Sequence, residues 1–549
     1  MRKIALLAIL CAVVAIGYSQ PLNQKTTFTM QDTLRGSIGE HRAWWDVEHY
    51  NIEFEANEAE KSIRGFNEIT FNVLAPGKKM QIDLQEPMEI TKAEWNKKSL
   101  PFTRNGNVYY IEFPKDLKKG SKEKIKLSYS GNPRIAKRAP WDGGLVFAKD
   151  DQGRPWITIA CQGLGASVWL PIKDHQSEEP NKGADITIIV PNDLVGVSNG
   201  RLISEKKVDA NRKAYHWRVV NPINSYNIIP YIGHYVHFGE KYQGEKGVLD
   251  LDYWVLDYNL EKAKKQFEQV KPMMKCFEEW MGAYPFYEDS YKLVESSHLG
   301  MEHQSAVAYG NKYQNGYLGR DMSGSGFGAK WDYIIIHETG HEWFGNNITS
   351  FDIADMWVHE GFTTYTEVIY TECQSGAEGA NAYVKGLRRG IGNRTPIIGQ
   401  YGVNKEGSGD MYSKGANIIH TIRQLFPNTE EFKKFLRGIY TEYYHKNATT
   451  QNIENAFSKA VNFDLSKVFD HYLRSTGIPE LEYYVENGKF SYRWTKVNEG
   501  FNLPVQFRGK WVKDLPGSTT WQSVDFPADV NIDDVTINDL MYVTGKKVK

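Results

Sequence analysis

Ile334-Ile335-Ile336-His337-Glu338-Thr339-Gly340-His341-Glu342-Trp343-Phe344-Gly345-Asn346 decides how this chain is read. On a helix, residues four apart are rotated by about 400°, which places them one turn apart on the same face. His337 and His341 therefore offer two imidazole nitrogens to one metal ion. Glu338 lies beside them as the expected general base on a water at that metal. The apolar run Ile334 to Ile336 anchors the helix in a core. Gly340 costs such a helix about 1 kcal/mol relative to Ala, and close packing behind the site is the expected reason for it.

Two histidines do not complete a catalytic zinc site, which takes three protein ligands and keeps one position open. The third ligand is sought in Trp357-Val358-His359-Glu360-Gly361-Phe362-Thr363-Thr364-Tyr365. Eighteen residues separate His341 from Glu360. That length lets the first helix end, the chain reverse, and a second helix return a carboxylate. Two histidines and a glutamate form a catalytic zinc set, and zinc lowers the pKa of bound water to roughly 7. Glu367, two turns beyond Glu360, is positioned to orient one imidazole or to stay a solvated charge.

The wider sequence sets bounds on that chemistry. Lys and Arg number 66 against 67 Asp and Glu, a net charge of -1, so nothing marks a nucleic-acid or anionic-membrane surface. Aromatic residues make up 13%, which favours β-rich cores and aromatic-lined clefts over disorder. Met1-Arg2-Lys3 precedes an apolar run from Ile4 to Tyr18, too short to span a bilayer comfortably. Residues 1–19 therefore read as a secretory signal peptide cut after Ser19, giving an exported protein, periplasmic or extracellular, with no stable membrane insertion afterwards. Cys11 follows Leu10, which disfavours lipidation. The remaining cysteines, Cys161, Cys276 and Cys373, are odd in number and scattered, so no disulfide framework is expected.

Hydrophobic periodicity divides the rest. Tyr50, Ile52 and Phe54 alternate, as do Ile69-Phe71-Val73, Met80-Ile82-Leu84, Tyr109-Ile111-Phe113 and Ile125-Leu127-Tyr129. These short strands predict an antiparallel β domain over residues 20–242. From Leu260 to Met281 apolar residues recur every three or four positions, predicting one amphipathic helix kinked at Pro272 and stopped at Gly282. Helical patterns such as Phe432-Phe435-Leu436-Ile439 continue, and residues 243–477 are read as a mainly α catalytic domain. Ser323-Gly324-Ser325-Gly326-Phe327-Gly328 lacks the closing Gly-Lys-Ser/Thr of a phosphate loop and reads as a flexible loop near the cleft rim. Leu481-Tyr483-Val485, Asn487-Gly488 and Phe490-Tyr492-Trp494 form a hairpin signal, and residues 478–549 are expected to be a small C-terminal β-sandwich.

His337-Glu338-x-x-His341-x-Trp343-Phe344-Gly345-Asn346 followed by Glu360-Gly361-Phe362 resembles the gluzincin zinc aminopeptidases, which include membrane alanyl aminopeptidase and leukotriene hydrolase. The resemblance covers roughly residues 40 to 480. It implies a multidomain α+β protein with a thermolysin-like catalytic domain, one zinc ion per chain held by His337, His341 and Glu360, and peptide substrates with a free N-terminus. Tyr412 matches the family's Tyr-x-Lys-Gly through Lys414-Gly415, which implies an oxyanion donor. Leu299-Gly300-Met301-Glu302-His303 resembles the Gly-x-Met-Glu-Asn exopeptidase motif. Glu302 falls on the ammonium-binding glutamate, with Gly300 and Met301 beside it. Leu299 and His303 depart from the motif and put the turn and the pocket wall in question. Gln162 matches, by its distance to Pro171, a second contact to the substrate amine. Many relatives close the chamber with a large helical-repeat domain; a short β domain here implies a more open cleft.

These readings converge on a zinc-dependent aminopeptidase, with Glu338 as base and Tyr412 as oxyanion donor. The alternatives are a zinc endopeptidase with the same site, a lipid epoxide hydrolase as in one branch of the family, and a non-catalytic binding protein. Glu302 separates the first, because an endopeptidase has no use for an amine anchor. Arg388-Arg389 reads as a solvated basic pair, and His298 and His303 as bystanders to a ligand set already complete.

Overall fold

The strand Trp45–Asn57 shows how the alternating pattern folds. Tyr50, Ile52 and Phe54 are fully buried while their neighbours face outward, as a half-buried strand requires. It lies inside an eight-stranded sheet, paired antiparallel with Ser62–Val73 and parallel with Ala184–Pro191. The sheet is thus antiparallel except at that one junction among the described strands. This computed structural model describes residues 26–548, and the expected leader, residues 1–19, lies outside them. A smaller sheet contains Pro155–Ala160, whose end delivers Cys161 and Gln162 to the next domain.

Position 242 lies inside the strand Tyr235–Gly244, every residue of which pairs with Gly247–Leu256. That hairpin belongs to a five-stranded sheet of the catalytic unit, so the change of sheet falls just after Tyr231–Gly233. One edge strand of the same sheet is Gly300–Met301, which leads directly into Glu302. Two helices, Leu260–Gln266 and Val270–Met281, replace the single kinked helix expected there, with a 3-10 turn at Phe267–Gln269 between them. Pro272 sits in the first turn of the second helix, where its missing N–H removes no intrahelical bond. Gly282 ends that helix at φ 103°.

The expectation that disulfides play no part is corrected. Cys276 and Cys373 form a disulfide with Cα atoms 6.2 Å apart, while Cys161 is buried and free. The bridge joins Val270–Met281 to the long helix Trp357–Leu387, whose backbone breaks at Gly376. Ninety-seven positions of sequence separate the partners, so only the packing of two helices reveals the pair.

After the helices, Glu480–Glu486 and Lys489–Thr495 form the expected hairpin, with Asn487 and Gly488 at φ 51° and 69°, the signature of a type I′ turn. A four-stranded and a three-stranded sheet build the C-terminal sandwich, with Phe490 and Phe507 meeting between them at 4.9 Å. The sandwich shares one hydrophobic core with the helical unit. Arg388 is therefore not a solvated charge: it donates to the carbonyls of Asp539 and Leu540 and to Asn417. Arg389 is exposed, as expected, and also donates to the Ser323 carbonyl. Asp321 accepts hydrogen bonds from the backbone of Ser323 and Gly326, so the Ser323–Gly328 loop is tied down rather than free. No helix among the described residues is long and apolar enough to cross a membrane.

Candidate active site

Asp332 starts the metal-site helix, Tyr333–Gly340, by accepting hydrogen bonds from the backbone of Ile334 and Ile335, an N-cap that satisfies donors otherwise left open. Ile334, Ile335 and Ile336 are buried beneath it. The helix ends at Gly340, and His341 occupies the C-cap in helical conformation, so both imidazoles keep the one-turn spacing. A Cβ on Gly340 would lie 2.3 Å from Thr366 Oγ1. The absent side chain is what lets the long helix approach, which fits the packing role expected of this glycine. A second close approach, between Gly361 and Gly415, brings the helix Ser413–Arg423 against the long helix. Tyr412, at its start, then lies over the metal site, its ring 6.0 Å from that of His337 and tilted by only 21°.

His337, His341 and Glu360 present ligand atoms all within 4.8 Å of one another, and all three residues are buried. Nε2 of His337 and His341 stand 3.6 and 3.3 Å from Glu360 Oε2. The other nitrogens are already engaged. Nδ1 of His337 is 2.6 Å from Glu367 Oε1, and Nδ1 of His341 is 3.1 Å from the Phe344 carbonyl. Those contacts fix the tautomers with both Nε2 atoms directed at Glu360. Glu360 Oε2 is buried without a hydrogen-bond partner. Burial opposes its ionisation, but His341 and His337 outweigh that and hold the carboxyl below the usual carboxylate range. Two imidazole nitrogens and a carboxylate oxygen converging in a buried pocket are a zinc donor set. Zinc therefore fits this site. Glu302, Glu338 and His341 also bring ligand atoms within 4.8 Å, but they share His341 and lack the paired second imidazole.

Glu338 is buried beside the donors, and burial raises its carboxyl to about 7, opposed by His337 and reinforced by Glu302. Glu302 is buried as well, not a solvated strand-edge acid. Its Oε1 accepts from Gln162 Nε2 at 2.6 Å and from the Tyr226 hydroxyl at 2.9 Å. Gln162 Nε2 also reaches Glu360 Oε1 at 3.1 Å. Gly300 matters here because a Cβ on it would lie 2.6 Å from Glu338 Oε1. Met301 and Leu299 line the same cleft. His303 does not: its Nδ1 meets the Tyr231 hydroxyl in the interior, and Asn346 Nδ2 holds the Glu302 carbonyl at 2.8 Å.

The cleft encloses about 1330 Å³, counting its open mouth, and Trp141, Tyr317, Met322 and Met411 complete an apolar wall. Its charged lining is one-sided. Glu302, Glu338, Glu360, Glu367 and Glu406 face it, and no Lys or Arg does so among the described residues. Several participants carried no mark in the sequence. Tyr226 is one tyrosine among 32, and Tyr383, which donates to Glu367 Oε2 at 2.5 Å, lies beyond the Gly376 break. Sequence spacing alone brought Glu367 into view.

A β domain that feeds an amide into a helical unit bearing His-Glu-x-x-His and a returning glutamate defines a metallopeptidase of the gluzincin class. Two family profiles match, the peptidase M1 N-terminal domain over residues 46–227 and the peptidase family M1 domain over residues 265–472, and the chain belongs to the peptidase M1 family. Tricorn protease-interacting factor F2 of Thermoplasma acidophilum is 22% identical over 67% of this chain and 46% of its own length. Aminopeptidase N of Lactococcus lactis is 26% identical over 35% of this chain and 25% of its own. The chain thus spans less than half the length of these two relatives. Leukotriene A-4 hydrolase of Xenopus laevis is 21% identical, covering 74% of this chain and 67% of that protein. An M1 zinc metallopeptidase from Deinococcus radiodurans shares the fold, with a TM-score of 0.67 at 18% identity over 79% of this chain and 95% of that one. A point mutant of the Deinococcus enzyme was solved with a Tyr-Ser-Ala substrate, with a TM-score of 0.65 to this chain at 17% identity over 80% and 96% of the two chains.

Proposed function

We propose that this protein is a zinc aminopeptidase that removes N-terminal residues from peptides. The observation carrying the reading is the buried Glu302 carboxylate, held by Gln162 and Tyr226 and linked through Gln162 to Glu360. A buried carboxylate in an acidic cleft selects an ammonium group, and among the described residues no Lys or Arg lines the cleft to meet a substrate carboxylate. The tripeptide substrate of the Deinococcus relative is of the same class.

In this reading His337, His341 and Glu360 hold one zinc ion. When bound, zinc supplies Lewis acidity, polarising the scissile carbonyl and making water nucleophilic near neutral pH. Glu338 takes the proton of the attacking water and returns it to the leaving amine, a task suited to a carboxyl near 7. The Tyr412 hydroxyl donates to the oxyanion that develops on the scissile carbonyl. Burial, and then Glu302, hold the Tyr226 hydroxyl well above its ordinary value, so it remains a donor to Glu302. Glu302 and Gln162 fix the substrate ammonium, with Gly300 and Met301 shaping the floor beneath it. Glu367 holds the His337 ring in its ligating orientation.

We also read the protein as exported. The basic start, the apolar run to Tyr18 and the Cys276–Cys373 bridge support that reading, because disulfides persist in oxidising compartments. The deciding experiment compares aminoacyl-anilides with their N-acetylated forms, with and without a zinc chelator. Cleavage of the free-amine set alone, lost on chelation, is expected. Cleavage of the acetylated set would remove Glu302 from its role and move the activity to an endopeptidase.

A further inference from the structure

Gln162 stands on a loop, Cys161–Ser167, that follows the strand Pro155–Ala160 and carries only a 3-10 turn at Ala166–Val168. Its amide nonetheless bridges two carboxylates from other elements. Such a bridge needs the loop fixed to a fraction of an ångström, and the loop is gripped from behind. The carbonyl of Leu164 accepts from Arg35 Nη1 and from Gln85 Nε2, each at 2.8 Å. Asp174 accepts from the Ser167 backbone at 2.9 Å and pairs with Arg35 Nη1 at 2.9 Å. Gly165, at φ 90°, leaves room for this pair: a Cβ there would lie 2.0 Å from Arg35 Nη2. From the other side, Asn404 Nδ2 donates to the Gly163 carbonyl at 2.9 Å.

Arg35 belongs to a short helix, Met30–Gly36, that precedes both family-matched regions in sequence yet touches both domains. Arg42 donates to the Arg35 and Ser37 carbonyls, and Gln81 to the Leu34 carbonyl, fastening the helix to the β domain. Gly36 presses on the catalytic domain so closely that a Cβ would lie 2.1 Å from the Asn404 backbone nitrogen. The helix thus meets Asn404 directly and meets the Gln162 loop through Arg35.

We propose that Arg35 and Asn404 are positioning residues for substrate-amine recognition, clamping the 161–167 loop so that Gln162 holds its bridge between Glu302 and Glu360. The inference rests on the aminopeptidase reading. It makes a segment outside both family-matched regions part of the site's specificity, because that segment sets the rigidity of the amine anchor.

The test is a pair of double-mutant cycles on the zinc-loaded full chain. R35M and N404A are each measured on a free-amine anilide, alone and combined with Q162A. Each single variant is expected to raise KM about tenfold, the scale of a misplaced contact, with kcat and zinc content little changed. Each should add nothing further once Gln162 is gone, and R35K should recover part of the loss. Equal losses with and without Gln162, or a fall in melting temperature at unchanged KM, would overturn the clamp and leave these residues structural. Should R35M fail to fold, the N404A cycle decides alone. A zinc-loaded wild-type protein inert on every free-amine anilide would sink the aminopeptidase reading and this inference together. An active wild type with additive variants sinks only the inference.

Discussion

Nε2 of Gln162 lies 2.6 Å from Oε1 of Glu302, joining side chains separated by 140 positions of sequence and contributed by different domains. The contact sets an acid in the wall of a cleft that no Lys or Arg lines among the described residues. A substrate ammonium supplies that missing charge. Glu302→Gln removes it while keeping the shape, so kcat/KM for free-amine anilides should fall by roughly 10²-fold, the scale for a lost partner in a buried charged contact. N-acetylated substrates should gain relative to free-amine ones. A ratio of the two rates identical to wild type would count against the amine anchor.

Glu338 and Tyr412 act at different moments in the proposed reaction, and their removal should leave the donors in place. Glu338→Gln is expected to lower kcat by about 10²–10⁴-fold, the range for a general base. Tyr412→Phe should lower it by about 10²–10³-fold, the range for one oxyanion donor. Zinc content measured by atomic absorption should stay at one per chain in both. Near-normal turnover in the zinc-loaded Glu338→Gln protein would sink its assignment as base.

The 2.6 Å contact from His337 Nδ1 to Glu367, backed by the Tyr383 hydroxyl, fixes the ring of a proposed zinc ligand. Glu367→Gln is expected to weaken zinc binding about 10- to 100-fold, the usual cost of losing such a partner. Competition with a chromophoric chelator reads this directly, independent of turnover. Tyr383→Phe should move affinity in the same direction by less, because Glu367 keeps its contact with His337.

What could be read from the sequence followed how local the determinants are. His337, His341 and Glu360 lie within a short stretch, and helical geometry alone places the first two together. The strand faces around Ile52, Ile69 and Ile111 follow from alternation, since the period of a strand is two. Cys276 and Cys373 gave no such signal, because their meeting depends on how two distant helices cross. Tyr226 and Tyr383 were hidden for the same reason. Pro272 misled because the apolar period runs unbroken through the 3-10 turn at Phe267–Gln269, so two helices read as one.

Acid stability should expose a second charge cluster, far from the metal site in sequence. Asp185 accepts from His216 and Arg218 and pairs with His49 on neighbouring strands of the large sheet. Burial opposes ionisation of Asp185, but His49, Arg218 and His216 outweigh it and hold the carboxyl below its ordinary value. A depressed carboxyl stabilises the fold fully above its unfolded pKa of about 3.9 and loses that contribution as the pH falls toward the folded value. Asp185→Asn should therefore melt at a lower temperature than wild type at pH 7, and the gap should narrow below about pH 4. A gap that stays constant from pH 7 to 3 would show that the ion pairs do not contribute.

The Cys276–Cys373 bridge anchors the long helix three residues before its break at Gly376. Glu360 and Glu367 lie on the segment before the break, and Tyr383, which holds Glu367, lies after it. The bridge closes a long loop and so restricts the unfolded chain, a contribution of about 2–5 kcal/mol. Replacing both cysteines with serine should lower the melting temperature, and wild-type protein treated with reductant should melt with the double variant. Zinc protects the folded state by mass action, so stripping with chelator should lower the melting temperature of wild type and double variant alike and leave the gap between them in place. Reductant that lowers the melting temperature of the double-serine variant as much as that of wild type would place the effect elsewhere.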